Sequence, residues 1–202
     1  MKRVIIIIPL IALLWSAQGQ NLRYEYIRND NRIGSLEVSN SVVDSIETFS
    51  IVNLVEFKII FTFSVEYKMS ESFENGVLVS GEGLNTLNGA TQKHTKIRLK
   101  EDGYHLKIDG VEARNETEPI EESMSRIYHE ELYDGKKVYS QYFGRYLTAE
   151  KIGEHKYSLK SPDGENIYKY AHGYCMEVKV IRDFATFYIK MLPESLDMVR
   201  SK

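Results

Sequence analysis

The sequence predicts a mainly β protein: a curved antiparallel sheet or incomplete barrel, laid out as a meander of hairpins, with one short helix. Three observations carry this expectation. Between Phe49 and Met69 every odd position except Asn53 is apolar, while the even positions hold residues such as Glu56, Lys58, Thr62, Glu66 and Lys68. A period of two over so long a stretch describes extended chain with one dry face and one wet face. Asn-Gly or Asp-Gly pairs recur at residues 75–76, 88–89, 102–103, 109–110, 134–135 and 163–164, followed by His172-Gly173. Such pairs close two-residue hairpins because both positions accept positive φ. Lastly, the chain holds 14 Tyr but a single Trp, Trp15, and tyrosine suits strands that are dry on one side and wet on the other.

The elements follow in chain order. Lys2 and Arg3 precede an apolar run from Val4 to Trp15, and Ala17 and Gly19 occupy the two positions that a signal peptidase inspects. This is the three-part layout of a secretory signal. The run falls short of the roughly 20 apolar residues that cross a bilayer. The expected organisation is therefore a signal peptide over residues 1–19 and a single β-rich domain over residues 20–202. The mature protein is exported, periplasmic or extracellular, with no transmembrane span after cleavage. No Cys follows the apolar run, so lipid attachment at the first mature residue has no anchor, and the lone Cys175 leaves no internal disulfide.

Strands are expected at Leu22–Arg28, Ile33–Ser39, Val77–Leu87, Tyr174–Ile181 and Phe184–Leu192. The stretch Phe49–Met69 is either one long curved strand or two strands joined by a bend near Leu54–Lys58. Apolar residues bracket Asp102-Gly103 and Asp163-Gly164 as hairpins, and a tight second hairpin sets Leu159 opposite Tyr168 and Tyr157 opposite Tyr170. About ten strands result. From Pro119 to Leu132 the apolar residues Ile120, Met124, Ile127, Tyr128 and Leu132 follow a helical spacing behind a proline and two glutamates, so the helix is expected there, capping an open end of the sheet. The C-terminal Leu196–Lys202 reads as a frayed tail.

Composition excludes some functions. The formal net charge is −3 and becomes more negative when Lys2 and Arg3 leave with the signal, so no bulk basic excess attracts nucleic acid. The five histidines are scattered without metal-ligand spacing, so no metal and no cofactor are expected. A nucleophile elbow is missing, and Cys175 lies in an alternating strand run where a thiol acts as a small apolar filler. Tyr128, His129, Tyr142, Phe143 and Arg145 form the candidate ligand-binding group, because aromatics around a guanidinium grip anionic or amphipathic molecules. The competing reading makes Tyr142 and Tyr146 a plug for the sheet end, with Arg145 paired to Glu130 or Glu131.

Several of these segments together resemble an exported bacterial family known as domain of unknown function 6134. The resemblance rests on Tyr24-Glu25-Tyr26 with Ile33-Gly34-Ser35, on Phe73 to Ser80, on Asn88-Gly89 and Phe143-Gly144, and on Ser161-Pro162-Asp163-Gly164 followed by Tyr168-Lys169-Tyr170. It covers nearly the whole mature chain and implies an exported β protein, with no activity or catalytic residues to carry over. A looser likeness, of fold alone, is to the curved half-barrels of periplasmic lipoprotein carriers. The expected function is a non-catalytic binding or carrier module for an apolar or amphipathic ligand in the cell envelope. The alternative is a structural or protein-interaction component of the envelope, and a hydrolase ranks behind both. Partners are thus an apolar ligand or an envelope protein, and the sequence sets no oligomeric state.

Overall fold

The computed structural model describes residues 19–58, 62–113, 116–183 and 185–201. The apolar run Val4–Trp15, expected to belong to a signal peptide, lies outside the described residues. Fourteen strands form one antiparallel sheet. In chain order β1 (Gln20–Arg28), β2 (Asn31–Val43), β3 (Ile46–Lys58), β4 (Thr62–Glu74), β5 (Val77–Leu87), β6 (Ala90–Lys100), β7 (Gly103–Ile108) and β8 (Val111–Glu112) step outward to one edge. The chain then crosses to the opposite edge at β9 (Lys137–Ser140). It winds back through β10 (Arg145–Gly153), β11 (Lys156–Ser161), β12 (Gly164–Ala171) and β13 (Tyr174–Arg182) to β14 (Ala185–Met191), which pairs with β1. The first strand thus sits mid-sheet, and the two edges, β8 and β9, do not pair with each other, so the barrel stays incomplete.

Local sequence sets the hairpins. Asn75-Gly76, Asn88-Gly89, Asp109-Gly110 and His172-Gly173 all take positive φ at both positions and close two-residue turns, as expected of these pairs. Register shifts at Tyr26/Ile27, Ser72/Phe73 and Asn85/Thr86 bend the strands and help curve the sheet. Gly34 permits a close approach: a Cβ there would stand 2.2 Å from the Leu54 carbonyl oxygen on β3.

Three expectations are corrected. The stretch 49–69 is neither one strand nor a bent pair but a hairpin, with Phe57 opposite Phe63 and Lys58 opposite Thr62. Its tip, residues 59–61, lies outside the described residues. Three intervening residues make odd positions face odd positions, so the alternation runs through the turn unbroken. The β11–β12 hairpin closes one residue earlier than expected, on Pro162-Asp163 rather than Asp163-Gly164, which moves each partner by two. Ser161 lies opposite Gly164 and Tyr157 opposite Tyr168, a shift of two that keeps Tyr157, Leu159, Tyr168 and Tyr170 on one buried face.

The third correction concerns the helix. Residues 119–132 contain only a 3-10 turn at Arg126–Tyr128, whereas the short α-helix α1 is Pro193–Arg200, in the expected tail. Pro193 and Glu194 favour its start and Arg200 its end, and Ser195 and Val199, one turn apart, face inward. The Ser195 hydroxyl accepts a 2.8 Å hydrogen bond from the Arg23 N–H, tying α1 to β1.

The segment between β8 and β9 does not cap an end of the sheet. It crosses the concave face and joins two cores. Ile120 belongs to a cluster with Phe49, Phe73, Leu78, Tyr104 and Tyr139. Ile127, Tyr128 and Leu132 belong to a larger one with Leu22, Tyr24, Tyr157, Tyr168 and Tyr170. Buried irregular chain must satisfy its own backbone polar groups. Tyr104 Oη accepts from the Ile120 N–H at 3.0 Å, and Tyr170 Oη donates to the Ile127 carbonyl at 2.9 Å. Strand backbone supplies further partners: the Leu78 N–H donates to the Ile120 carbonyl at 2.8 Å, and Glu122 and Met124 exchange bonds with Tyr139. The tyrosine content therefore has a structural use, with rings in the core and hydroxyls on the crossing segment.

Candidate functional site

Cross-strand register aligns inward-facing rows on the β1–β6 wing. Tyr24, Leu36, Asn53, Tyr67 and Asn85 form one row. Val38, Ile51, Met69, Gly83 and Thr95 form the next, and Asn40, Phe49, Glu71, Gly81 and Ile97 the third. The crossing segment packs over the third row. Beside it, between this wing and β12–β13, a cavity of about 390 Å³ remains.

The cavity wall is divided by chemistry. Leu36, Ile51, Val65, Met69 and Met124 give an apolar patch, and Tyr26, Tyr67, Tyr128, Tyr142, Phe143 and Tyr168 an aromatic one. Asn53, Asn85, Ser140, Gln141, Asn166, Asp163 and Arg182 are the polar part. Asn53 is the residue that breaks the apolar alternation of 49–69. Three buried amide oxygens in this wall, Asn53 Oδ1, Asn85 Oδ1 and Gln141 Oε1, have no hydrogen-bond partner among the described residues. Arg182 Nη1 is oriented by Asn166 Oδ1 at 3.0 Å and by the Ile181 carbonyl at 2.8 Å. Lys93 Nζ sits 4.1 Å from the Tyr142 ring centroid and 5.6 Å from that of Phe143, which stack edge to face on each other at 5.0 Å. Burial raises Tyr26, Tyr67, Tyr128 and Tyr168 above the ordinary tyrosine value, so these wall residues keep their hydroxyl protons. Two residue pairs beyond Val55 and Val65, Phe57 and Phe63 stack at 5.5 Å, and Phe187 lies 6.5 Å from Phe57.

Under the crossing segment lies a sealed carboxyl. Glu71, 1% exposed, accepts hydrogen bonds at Oε2 from the hydroxyls of Ser123 and Ser125, which stand 3.0 Å from each other. Its other oxygen has no hydrogen-bond partner among the described residues. Desolvation raises its pKa, with the serine hydrogen bonds acting in the opposite sense. Glu71, Ser123 and Ser125 hold the segment onto the sheet and thereby shape one side of the cavity.

The structure brings Tyr128, Tyr142 and Phe143 of the candidate group into this one wall and leaves the other two outside it. The His129 ring packs 5.5 Å from Phe49. Arg145 is exposed at the start of β10, opposite Ser140. Glu130 pairs with Arg126 at 2.8 Å and Glu131 with His155 at 2.8 Å, so the pairing expected for Arg145 is not formed. Tyr146 packs on Tyr139 at 5.2 Å. Sequence reasoning missed Arg182 and Asn53. Asn53 carried a signal, since it is a polar residue on an otherwise apolar strand face.

A half-barrel with a divided cavity defines a structural class. The chain belongs to the family described as a domain of unknown function (DUF6134), whose model matches residues 24–192, from within β1 to just past β14. No curated protein and no solved structure matches it. Among the described residues no helix is long and apolar enough to cross a membrane.

Proposed function

We propose that this protein is an exported, non-catalytic binding or carrier module of the cell envelope, and that its ligand is an apolar or amphipathic molecule held in the concave cavity. The observation that carries the reading is the divided wall, in which the patch around Leu36, Ile51 and Met69 faces the same space as Asn53, Asn85 and Arg182. An apolar body and a polar end find matching surfaces there. The volume, about 390 Å³, falls in the range of roughly 300–1,000 Å³ common for small-molecule sites. Export is supported by the signal layout of residues 1–19. The non-catalytic part is supported by the fate of the nucleophiles: Cys175 is fully buried and burial pushes its thiol up, and Ser123 and Ser125 are sealed against Glu71.

Native mass spectrometry of freshly purified protein, paired with titration of an apolar dye, tests the reading. A co-purifying small molecule is expected, or saturable dye binding that Val65→Trp weakens about tenfold by filling the cavity. No co-purifying mass and no dye binding would end it. The packed part of the concave face and the two open sheet edges favour a second reading, an interaction component of the envelope that pairs through an edge strand. A reproducible partner recovered by cross-linking in envelope extract, with no ligand in the cavity, would replace the first reading with the second.

A further inference from the structure

The outer face of the β4–β7 wing carries a second concavity, of about 460 Å³. Its floor is low because Ser70, Ser72, Ser80 and Gly81 are small, and its walls are the long side chains of Lys96, Arg98, Lys100 and Lys107. Four Lys or Arg thus face Glu82 as the lining carboxylate, in a chain whose formal net charge is −3. Glu82 is already engaged by His94 at 2.7 Å and Lys96 at 3.1 Å, and Lys107 lies 3.7 Å from Glu112. Arg98 and Lys100 have no ion pair among the described residues. Register explains why: Arg98 lies between Ser80 and His105, and Lys100 lies opposite Gly103, so no carboxylate is placed directly across from either, and Lys100 reaches Asp102 and Glu112 only through longer-range attraction. His105 itself is held above the ordinary histidine value first by Asp102 and then by Glu112, which adds positive charge beside Arg98 as the pH falls. The hydroxyls of Ser70 and Ser80 make no hydrogen bond among the described residues and stand ready as donors.

We propose that this groove is a second binding site, for an anionic polysaccharide. The two unpaired cations supply the attraction to sulfate, carboxylate or phosphate groups, and the serine floor supplies hydrogen bonds to sugar hydroxyls. No Phe, Tyr or Trp lines the groove, so the large stacking platforms that hold single-stranded nucleic acid are missing. The site lies on the opposite face of the sheet from the concave cavity and does not depend on it.

The test uses a heparin decasaccharide as probe, titrated into the mature protein at low and at moderate ionic strength. Saturable binding is expected, weakened at least about tenfold by the double variant R98S/K100S, with the slope of log K against log salt falling by about one to two as fewer counterions are released. The variant K151S/K160S, on the other wing, should bind as the parent does. Unchanged thermal unfolding of R98S/K100S, whose altered side chains are exposed, separates loss of binding from loss of fold. The proposal is overturned if the parent does not bind heparin at low salt, if both double variants lose equally, or if a length-matched oligothymidylate binds as tightly as heparin.

Discussion

Glu71 is the residue whose replacement tests the internal architecture most sharply. Glu71→Ala removes the acceptor of two buried hydroxyls, those of Ser123 and Ser125. Each lost bond is worth about 1–3 kcal/mol when a buried partner is left unsatisfied. The two hydroxyls lie 3.0 Å apart and can still bond to one another, so one donor rather than two is orphaned. The expected cost is about 2–4 kcal/mol. Glu71→Gln keeps an acceptor oxygen and should cost less than about 1 kcal/mol. The pH dependence has a fixed sign. Burial raises the folded-state pKa of Glu71 above 4.5, its value without the fold. Between those two values the native state holds more protons than the unfolded one, so stability falls as pH rises through that window. Glu71→Gln removes this slope, and the penalty of Glu71→Ala is greatest on the acid side. Urea unfolding of the three proteins across this window reads all of it. An Ala variant within about 0.5 kcal/mol of the parent at acid pH, or a parent that gains stability relative to the Gln variant as pH rises, would refute the reasoning.

Other substitutions probe single contacts. Gly34→Ala places a methyl 2.2 Å from the Leu54 carbonyl oxygen, where both neighbours are backbone, and should cost about 1–3 kcal/mol by chemical denaturation; a neutral result would mean that β2 and β3 do not approach so closely. Tyr170→Phe deletes the hydroxyl that donates to the Ile127 carbonyl, and a loss of about 1–2 kcal/mol is expected together with faster amide exchange around residues 126–129. Cys175, fully buried with its thiol raised by burial, should be inert to an aromatic disulfide reagent in the native protein and react stoichiometrically in denaturant; rapid native reaction would place it elsewhere.

Much of the sheet was legible because it is built from local rules. Alternation identified β3 and β4, and Asn75-Gly76, Asn88-Gly89, Asp109-Gly110 and His172-Gly173 identified hairpins whose backbone takes positive φ, whereas the turns expected at Asp102-Gly103 and Asp163-Gly164 each close one residue earlier and Asp134-Gly135 closes no strand hairpin. The hairpin tip at 59–61 escaped because it carries no Gly, Asn or Asp and preserves the parity of the alternation. The crossing segment escaped for a deeper reason. Its apolar spacing imitates a helix, but its conformation is set by distant partners: Tyr104, Tyr139 and Tyr170 for its backbone, and Glu71 for Ser123 and Ser125. Long-range contacts of this kind override local propensity and leave no periodic trace. Two residues did leave one. Asn53 is polar on a dry face, and Glu71 is a carboxylate at the next odd position after Met69, where an unpartnered charge could not remain. Tyr128, Tyr142 and Phe143 were found through composition, since aromatic clustering survives in sequence. Arg182 was not, because β13 reaches the cavity only through the pairing of β14 with β1.

Methyl-resolved NMR of residues 20–202, titrated with decanoate as an amphipathic probe, tests the central claim. Binding in the concave cavity predicts saturable shifts for the methyl groups of Leu36, Ile51, Val65 and Met69, with Leu22 and Leu159, buried elsewhere in the core, unmoved. No saturable shift, or shifts confined to the exposed Val42 and Val43, would contradict it.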